Sequence, residues 1–195
     1  MSINLTKGQR VNLEKSLTLG MVGLGWDVKR FTGESDFDLD ASAFLLDPSG
    51  KVKRDEDFIF YGNLKSRNDG VIHTGDNRTG LGDGDDEKII INFTKVPADI
   101  AKIAIAVTIY EADSRKQNFG QVANAYVRVA KMAHDKDLSG EEIVRFDLGE
   151  DFSTETALVL CEIYRHGSEW KFSAIGSGYD GGLAALCRSF GLDVA

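Results

Sequence analysis

Two stretches of this chain carry side chains suited to holding a cation. In the first, Asp36, Asp38 and Asp40 recur at every second residue. In the second, Thr74–Glu87 reads TGDNRTGLGDGDDE, where Asp76, Asn77, Asp83, Asp85, Asp86 and Glu87 offer oxygens between Gly75, Gly80, Gly82 and Gly84. Hard divalent cations such as calcium take about six to eight oxygen ligands, mostly carboxylates and carbonyls. Glycine tolerates positive φ, so a loop of this composition can wrap around an ion and present its carbonyls. Without a cation, so many carboxylates held together repel one another.

The net charge of −8 is concentrated in these places. Residues 74–87 set five acids against Arg78, and residues 27–47 set six against Lys29 and Arg30, so the rest of the chain is neutral. The bland alternative is a solvated acidic loop that serves solubility. It fits Asp36–Asp40 poorly, because that triad lies in a segment patterned as a strand. The EF-hand pattern fails in both places where it could start. From Asp36, the position that needs glycine is Ala41, and from Asp135 the closing glutamate is replaced by Phe146.

The elements that would position these groups are mostly strands. Residues 36–47 (DFDLDASAFLLD) alternate, placing Asp36, Asp38, Asp40 and Ser42 on one face and Phe37, Leu39, Ala41 and Ala43 on the other. Strand patterns also run over 10–15, 17–24, 57–61, 71–74, 87–94, 100–111, 124–132, 143–148, 157–164 and 170–175. Only residues 180–190 have a clear helical period, with Leu183, Leu186, Cys187 and Phe190 on one stripe and Gly191 at the expected cap. Residues 96–102 allow a helical turn. This pattern predicts a mainly β fold, a two-sheet β-sandwich with one or two short helices and a single domain over residues 1–195.

Composition excludes several classes of function. A pI near 4.9 with no Lys/Arg stripe argues against nucleic acid. No apolar run reaches the length of a transmembrane segment, and the N-terminal residues lack a signal-peptide pattern, which predicts a cytoplasmic protein. Cys161 and Cys187 sit in apolar contexts and read as buried reduced thiols. Gly80-x-Gly82-x-Gly84 is flanked by acids that would repel a pyrophosphate, so it is not a dinucleotide fingerprint. No catalytic constellation is evident. His73, beside the acidic loop, reads as a strand-end residue or a partner to a ligand, and Trp26 as a core aromatic.

Four segments together resemble the TerD family of bacterial tellurite-resistance and general-stress proteins. They are GLGWD at residues 23–27, DFDLDASAFLLD at 36–47, FYGNLKS at 60–66 and HTGDNRTGLGDGDDE at 73–87. The resemblance extends over nearly the whole chain. It implies a β-sandwich that binds calcium through these acidic segments and works in the cytoplasm with membrane-associated partners of a tellurite-resistance and stress system. Carried onto this sequence, the ligand set is Asp36, Asp38, Asp40, Asp76, Asn77, Asp83, Asp85, Asp86 and Glu87, with Asp27 as a further candidate. So many donors suit two neighbouring calcium ions. The expected role is a calcium-dependent binding or scaffold module at or near the inner membrane surface. Two other readings stay open at this point: a calcium-dependent anionic-lipid binder, and a metal-assisted phosphoester hydrolase.

Overall fold

A computed structural model describes residues 2–28, 37–75, 84–149 and 154–193. Asp36, Asp76, Asn77 and Asp83 lie outside the described residues. Two six-stranded sheets carry the fold. The first has the order β1 (Ile3–Leu5), β10 (Glu141–Asp147), β9 (Val122–Lys131), β3 (Leu19–Val28), β7 (Glu87–Asn92), β6 (Val71–His73). The second has the order β2 (Arg10–Asn12), β12 (Glu169–Tyr179), β11 (Ala157–His166), β8 (Lys102–Ile109), β4 (Leu39–Leu46), β5 (Phe58–Ile59). Every pairing is antiparallel except β1 on β10.

Alternation along the strands decides what lies between the sheets. Val22, Leu24 and Trp26 of β3 and Ile89 and Ile91 of β7 face Leu39, Ala41, Ala43 and Leu45 of β4 and Ile103, Ile105 and Val107 of β8, forming one core. Burying each Leu or Ile there contributes roughly 1.5–3 kcal/mol. The opposite face of the second sheet is also covered. Ala104 and Ala106 of β8 and Ala157 of β11 are small, and the helix α2 (Gly182–Ser189) seats Leu186 and Cys187 over them and against Phe44 and Leu46. α2 ends as its sequence predicts: Gly191 takes φ +86°, and Leu192 N–H donates to Cys187 O at 2.9 Å.

Four features depart from the sequence reading. β1 adds a parallel edge strand, and a single helical turn, α1 (Ala112–Arg115), follows β8. Residues 96–101 form bends and turns rather than helix, and Lys102 begins β8. The fourth departure concerns β4, whose eight residues are all buried, so its polar face is not an open surface. Phe44 and Leu46 continue the parity of Asp38, Asp40 and Ser42, and α2 closes over that half of the face. Both cysteines are buried and free.

Candidate metal centre

β3, β7 and β9 bring Asp27, Asp85, Asp86 and Glu87 to one end of the first sheet. Leu24 of β3 pairs with Glu87 of β7, and the contact continues past the strand, with Asp86 N–H donating to Leu24 O at 2.8 Å. The Asp86 carboxylate then turns back and accepts Trp26 N–H at 2.9 Å. Burial pushes the Asp86 pKa up. The Trp26 N–H pulls it down, and the neighbouring Asp27, Asp85 and Glu87 charges push it further up. Asp27 lies where the register of β3 against β9 shifts, and it accepts Asn124 Nδ2–H at 2.7 Å. Asp27 and Asp86 are therefore two hard-oxygen donors whose charges feel each other.

Asp85 lies on the outer face of the first sheet. Arg128 of β9 donates Nε–H and Nη2–H to its two oxygens at 2.7 Å each, and the Tyr126 hydroxyl donates at 3.0 Å. Its side chain is 1% exposed. The carboxylate reaches this position because β3 has no side chain in its path. A Cβ on Gly23 would lie 2.3 Å from Asp85 Cγ, and one on Gly25 would lie 2.4 Å from the Tyr126 ring. The Arg145 guanidinium caps the Tyr126 ring at 3.8 Å from its centroid. Burial and the Asp85 charge push the Tyr126 phenol well above its usual range, and hydrogen bonding to Asp85 raises Arg128.

Glu87 points the other way, into the core beside Ile89. Its Oε2 is 3.1 Å from His73 Nε2, and both side chains are 1% exposed. The same nitrogen is 3.2 Å from Ala41 O of β4. Gly75 N–H donates to His73 Nδ1 at 3.1 Å, so in the neutral ring the proton sits on Nε2, between the Glu87 carboxylate and the Ala41 carbonyl. His73 precedes the first residue of the acidic stretch and Glu87 is its last. Their contact ties those ends to each other and to the second sheet.

The strand-borne acids lie on the second sheet. Asp38 and Asp40 precede Ser42 on the outward parity of β4, Asp38 O accepts Tyr110 N–H at 2.8 Å, and Asp40 is 8% exposed. The structure thus distributes the six described candidates. Asp27 and Asp86 come together, Asp85 has a guanidinium, Glu87 has an imidazole, and Asp38 and Asp40 occupy the other sheet. Among the described residues, no three His, Cys, Asp or Glu side chains are grouped so as to hold a metal ion. The Asp27–Asp86 oxygens suit a hard cation, and Asp36, Asp76, Asn77 and Asp83 lie outside the described residues. Asn124, Tyr126 and Arg128 escaped the sequence reading. The alternation of β9 placed Tyr126 and Arg128 on one face, but nothing in the sequence paired them with Asp85.

Among the described residues, no helix is long and apolar enough to cross a membrane. The family model described as "TerD domain" matches residues 1–190. The chain is similar to General stress protein 16U of Bacillus subtilis, 52% identical over 197 residues and the full length of both. It is 51% identical, again over the full length of both, to Tellurium resistance protein TerD of Serratia marcescens. The crystal structure of SAV2460, described as of unknown function, shares the fold with a TM-score of 0.71 at 22% identity, covering 91% of this chain and 99% of that one.

Proposed function

We propose a function from one premise: this chain belongs to the TerD family, in which tellurium-resistance and stress-response proteins are found. It acts as a calcium-dependent binding or scaffold module of such a system, working at or near the cytoplasmic face of the membrane. Its partners are other tellurite-resistance and stress proteins. The observation that carries this reading is the Asp86 carboxylate, raised by burial and by three neighbouring acids at the end of β3. A divalent cation placed against Asp27 and Asp86 relieves that repulsion. In this reading Asp27 and Asp86 hold calcium with Asp36, Asp76, Asn77 and Asp83. Asp38 and Asp40 contribute from the second sheet, and the full donor set serves two ions. Calcium, when bound, supplies charge compensation and cross-links oxygens from separate segments.

The chain's own residues prepare that end. The His73–Glu87 contact fixes where the loop leaves and re-enters the sheet, and Asp86 sets the tip of β3 through Trp26. Arg128 neutralises Asp85, which lowers the charge the ion must offset. The test is calorimetric titration of calcium into chelator-stripped protein, with Asp86→Asn beside it. The wild-type chain is expected to bind with measurable heat. Asp86→Asn is expected to weaken binding by about tenfold or more, while in chelator it is as stable as wild type or slightly more so, because it lacks the repelled charge. No heat from the wild-type chain, or an unchanged affinity in Asp86→Asn, would reject the reading.

A further inference from the structure

The chain contains three Asp-Gly pairs, at residues 69–70, 83–84 and 180–181. In such a pair the main-chain nitrogen of the glycine can reach the carboxyl carbon of the aspartate, and no Cβ on the glycine shields it. Attack needs two local conditions: the pair must be free to turn, and the glycine N–H must not be committed to another acceptor. Asp83 lies outside the described residues. The two described pairs differ in both conditions.

Asp69–Gly70 is held from every side. Asp69 takes φ +52°, its N–H donates to Ser66 O at 3.0 Å, and its Oδ2 lies 3.9 Å from Lys65 Nζ. Gly70 is buried, its N–H donates to Arg67 O at 3.4 Å, and its carbonyl accepts Asn92 N–H at 2.8 Å. A Cβ on Gly70 would lie 3.0 Å from Val96 N, so the turn has no room to move.

Asp180–Gly181 joins the end of β12 to the start of α2, and both residues are exposed. Among the described residues, neither the Gly181 N–H nor the Asp180 carboxylate has a hydrogen-bond partner. Gly181 and Gly182 take φ +93° and +59°, and a Cβ on Gly182 would meet nothing within 4 Å. Both glycines line a cavity of about 500 Å³ between α1, α2 and the ends of β4 and β8. The junction can therefore turn, and close a small ring, without displacing packed side chains.

We propose that the Asp180–Gly181 junction is a modification site, where Asp180 rearranges to isoaspartate and so becomes a substrate for an isoaspartyl carboxyl methyltransferase. The Gly181 nitrogen loses its proton and bonds to Asp180 Cγ, and a carboxyl oxygen leaves as water, closing a five-membered succinimide. Water then adds to the Asp180 main-chain carbonyl carbon, and the bond from that carbon to the Gly181 nitrogen breaks. The chain now runs through Cγ, the former main-chain carbonyl is a free carboxylate, and the water lost is regained. The methyltransferase moves a methyl group from the sulfonium of S-adenosylmethionine to that carboxylate. The rearranged link is longer by one methylene, just ahead of the helix that seats Leu186 and Cys187 over the second sheet. Neither residue belongs to the candidate metal centre.

The test ages the full chain in warm, mildly acidic buffer, native and in urea, and then digests it with trypsin. Residues 172–188 and 68–78 fall in separate tryptic peptides, so the two pairs are read independently. Isoaspartate is scored by resistance to an endoproteinase that cuts before normal aspartate, and by methyl transfer from labelled S-adenosylmethionine. In urea the two sites should rearrange at comparable rates. In the native chain Asp180 should stay within about threefold of its rate in urea, while Asp69 slows about tenfold or more. Asp180→Asn and Asp69→Asn repeat the comparison as loss of ammonia through the same ring, read by the deamidation mass shift. Asp180→Glu, which would need a larger ring, should lose the product from the 172–188 peptide. Native protection of Asp180 as great as that of Asp69, or deamidation of Asp180→Asn only after unfolding, would overturn the proposal.

Discussion

Replacing Arg128 with methionine keeps the aliphatic stem against the sheet and removes the guanidinium from Asp85. That carboxylate has a side-chain exposure of 1% and receives two 2.7 Å hydrogen bonds from the arginine. Breaking a buried pair by removing one partner costs about 3–5 kcal/mol, because the remaining charge is left uncompensated. The Tyr126 hydroxyl still donates at 3.0 Å, so the lower end of that range applies, about 3 kcal/mol. For a chain of this size that is a fall of roughly 6–12 °C in Tm. Urea unfolding of wild type, Arg128→Met, Asp85→Asn and the double variant, in chelator, gives the coupling between the two side chains. A cost below about 1 kcal/mol, or single-variant costs that simply add in the double variant, would refute the assignment of Asp85 to Arg128.

Two further outcomes follow from the same packing. With burial and Asp85 both opposing its ionisation, Tyr126 should stay protonated in alkali that ionises ordinary tyrosines, and Tyr126→Phe should remove the late component of the tyrosinate absorbance titration. By linkage, this phenol contributes stability that is intact below about pH 10 and is lost as pH rises above the unfolded value. Burial pushes the Cys161 thiol well up and the Cys187 thiol up, so neither should react with a thiol-specific disulfide reagent in the native chain, and both should react in denaturant. Reaction of either at the rate of a free thiol in native buffer would show that the region under α2 opens.

Much of the architecture was legible because alternation is a local property. The period of two in residues 100–111 and the strand pattern over 157–164 gave β8 and β11 to within a few residues, and the Leu183–Phe190 stripe gave α2. The same rule placed Asp38 and Asp40 on one face of β4. What the rule could not say was what covers that face. The run Phe44-Leu45-Leu46 breaks the alternation, and that break is the mark of a strand buried on both sides, here by α2. The acidic loop was harder to read. Asp85, Asp86 and Glu87 look equivalent as a charge run, yet they meet Arg128, the Trp26 amide and His73 respectively. Arg128 is 43 residues from Asp85 in sequence, and no local pattern announces such a partner. In the sequence His73 stands out only by lying near the loop, and its contact across to Ala41 depends on how the sheets stack.

The pairing of β1 with β10 and of β2 with β12 has a consequence for the order of events during synthesis. Residues 3–12 close one edge of each sheet, yet their partners are residues 141–147 and 169–179. At about 5–20 residues per second, the ribosome needs on the order of 10–30 s to pass from β2 to β12. For that interval β2 has nowhere to dock, while β1 waits only until β10 is made. β11 meanwhile has β8 on one side and an open row of backbone amides and carbonyls on the other. A chain stalled before residue 169 holds β2 and β11 without the strand that belongs between them. That exposed β11 edge is where an incomplete copy would pair with its neighbour.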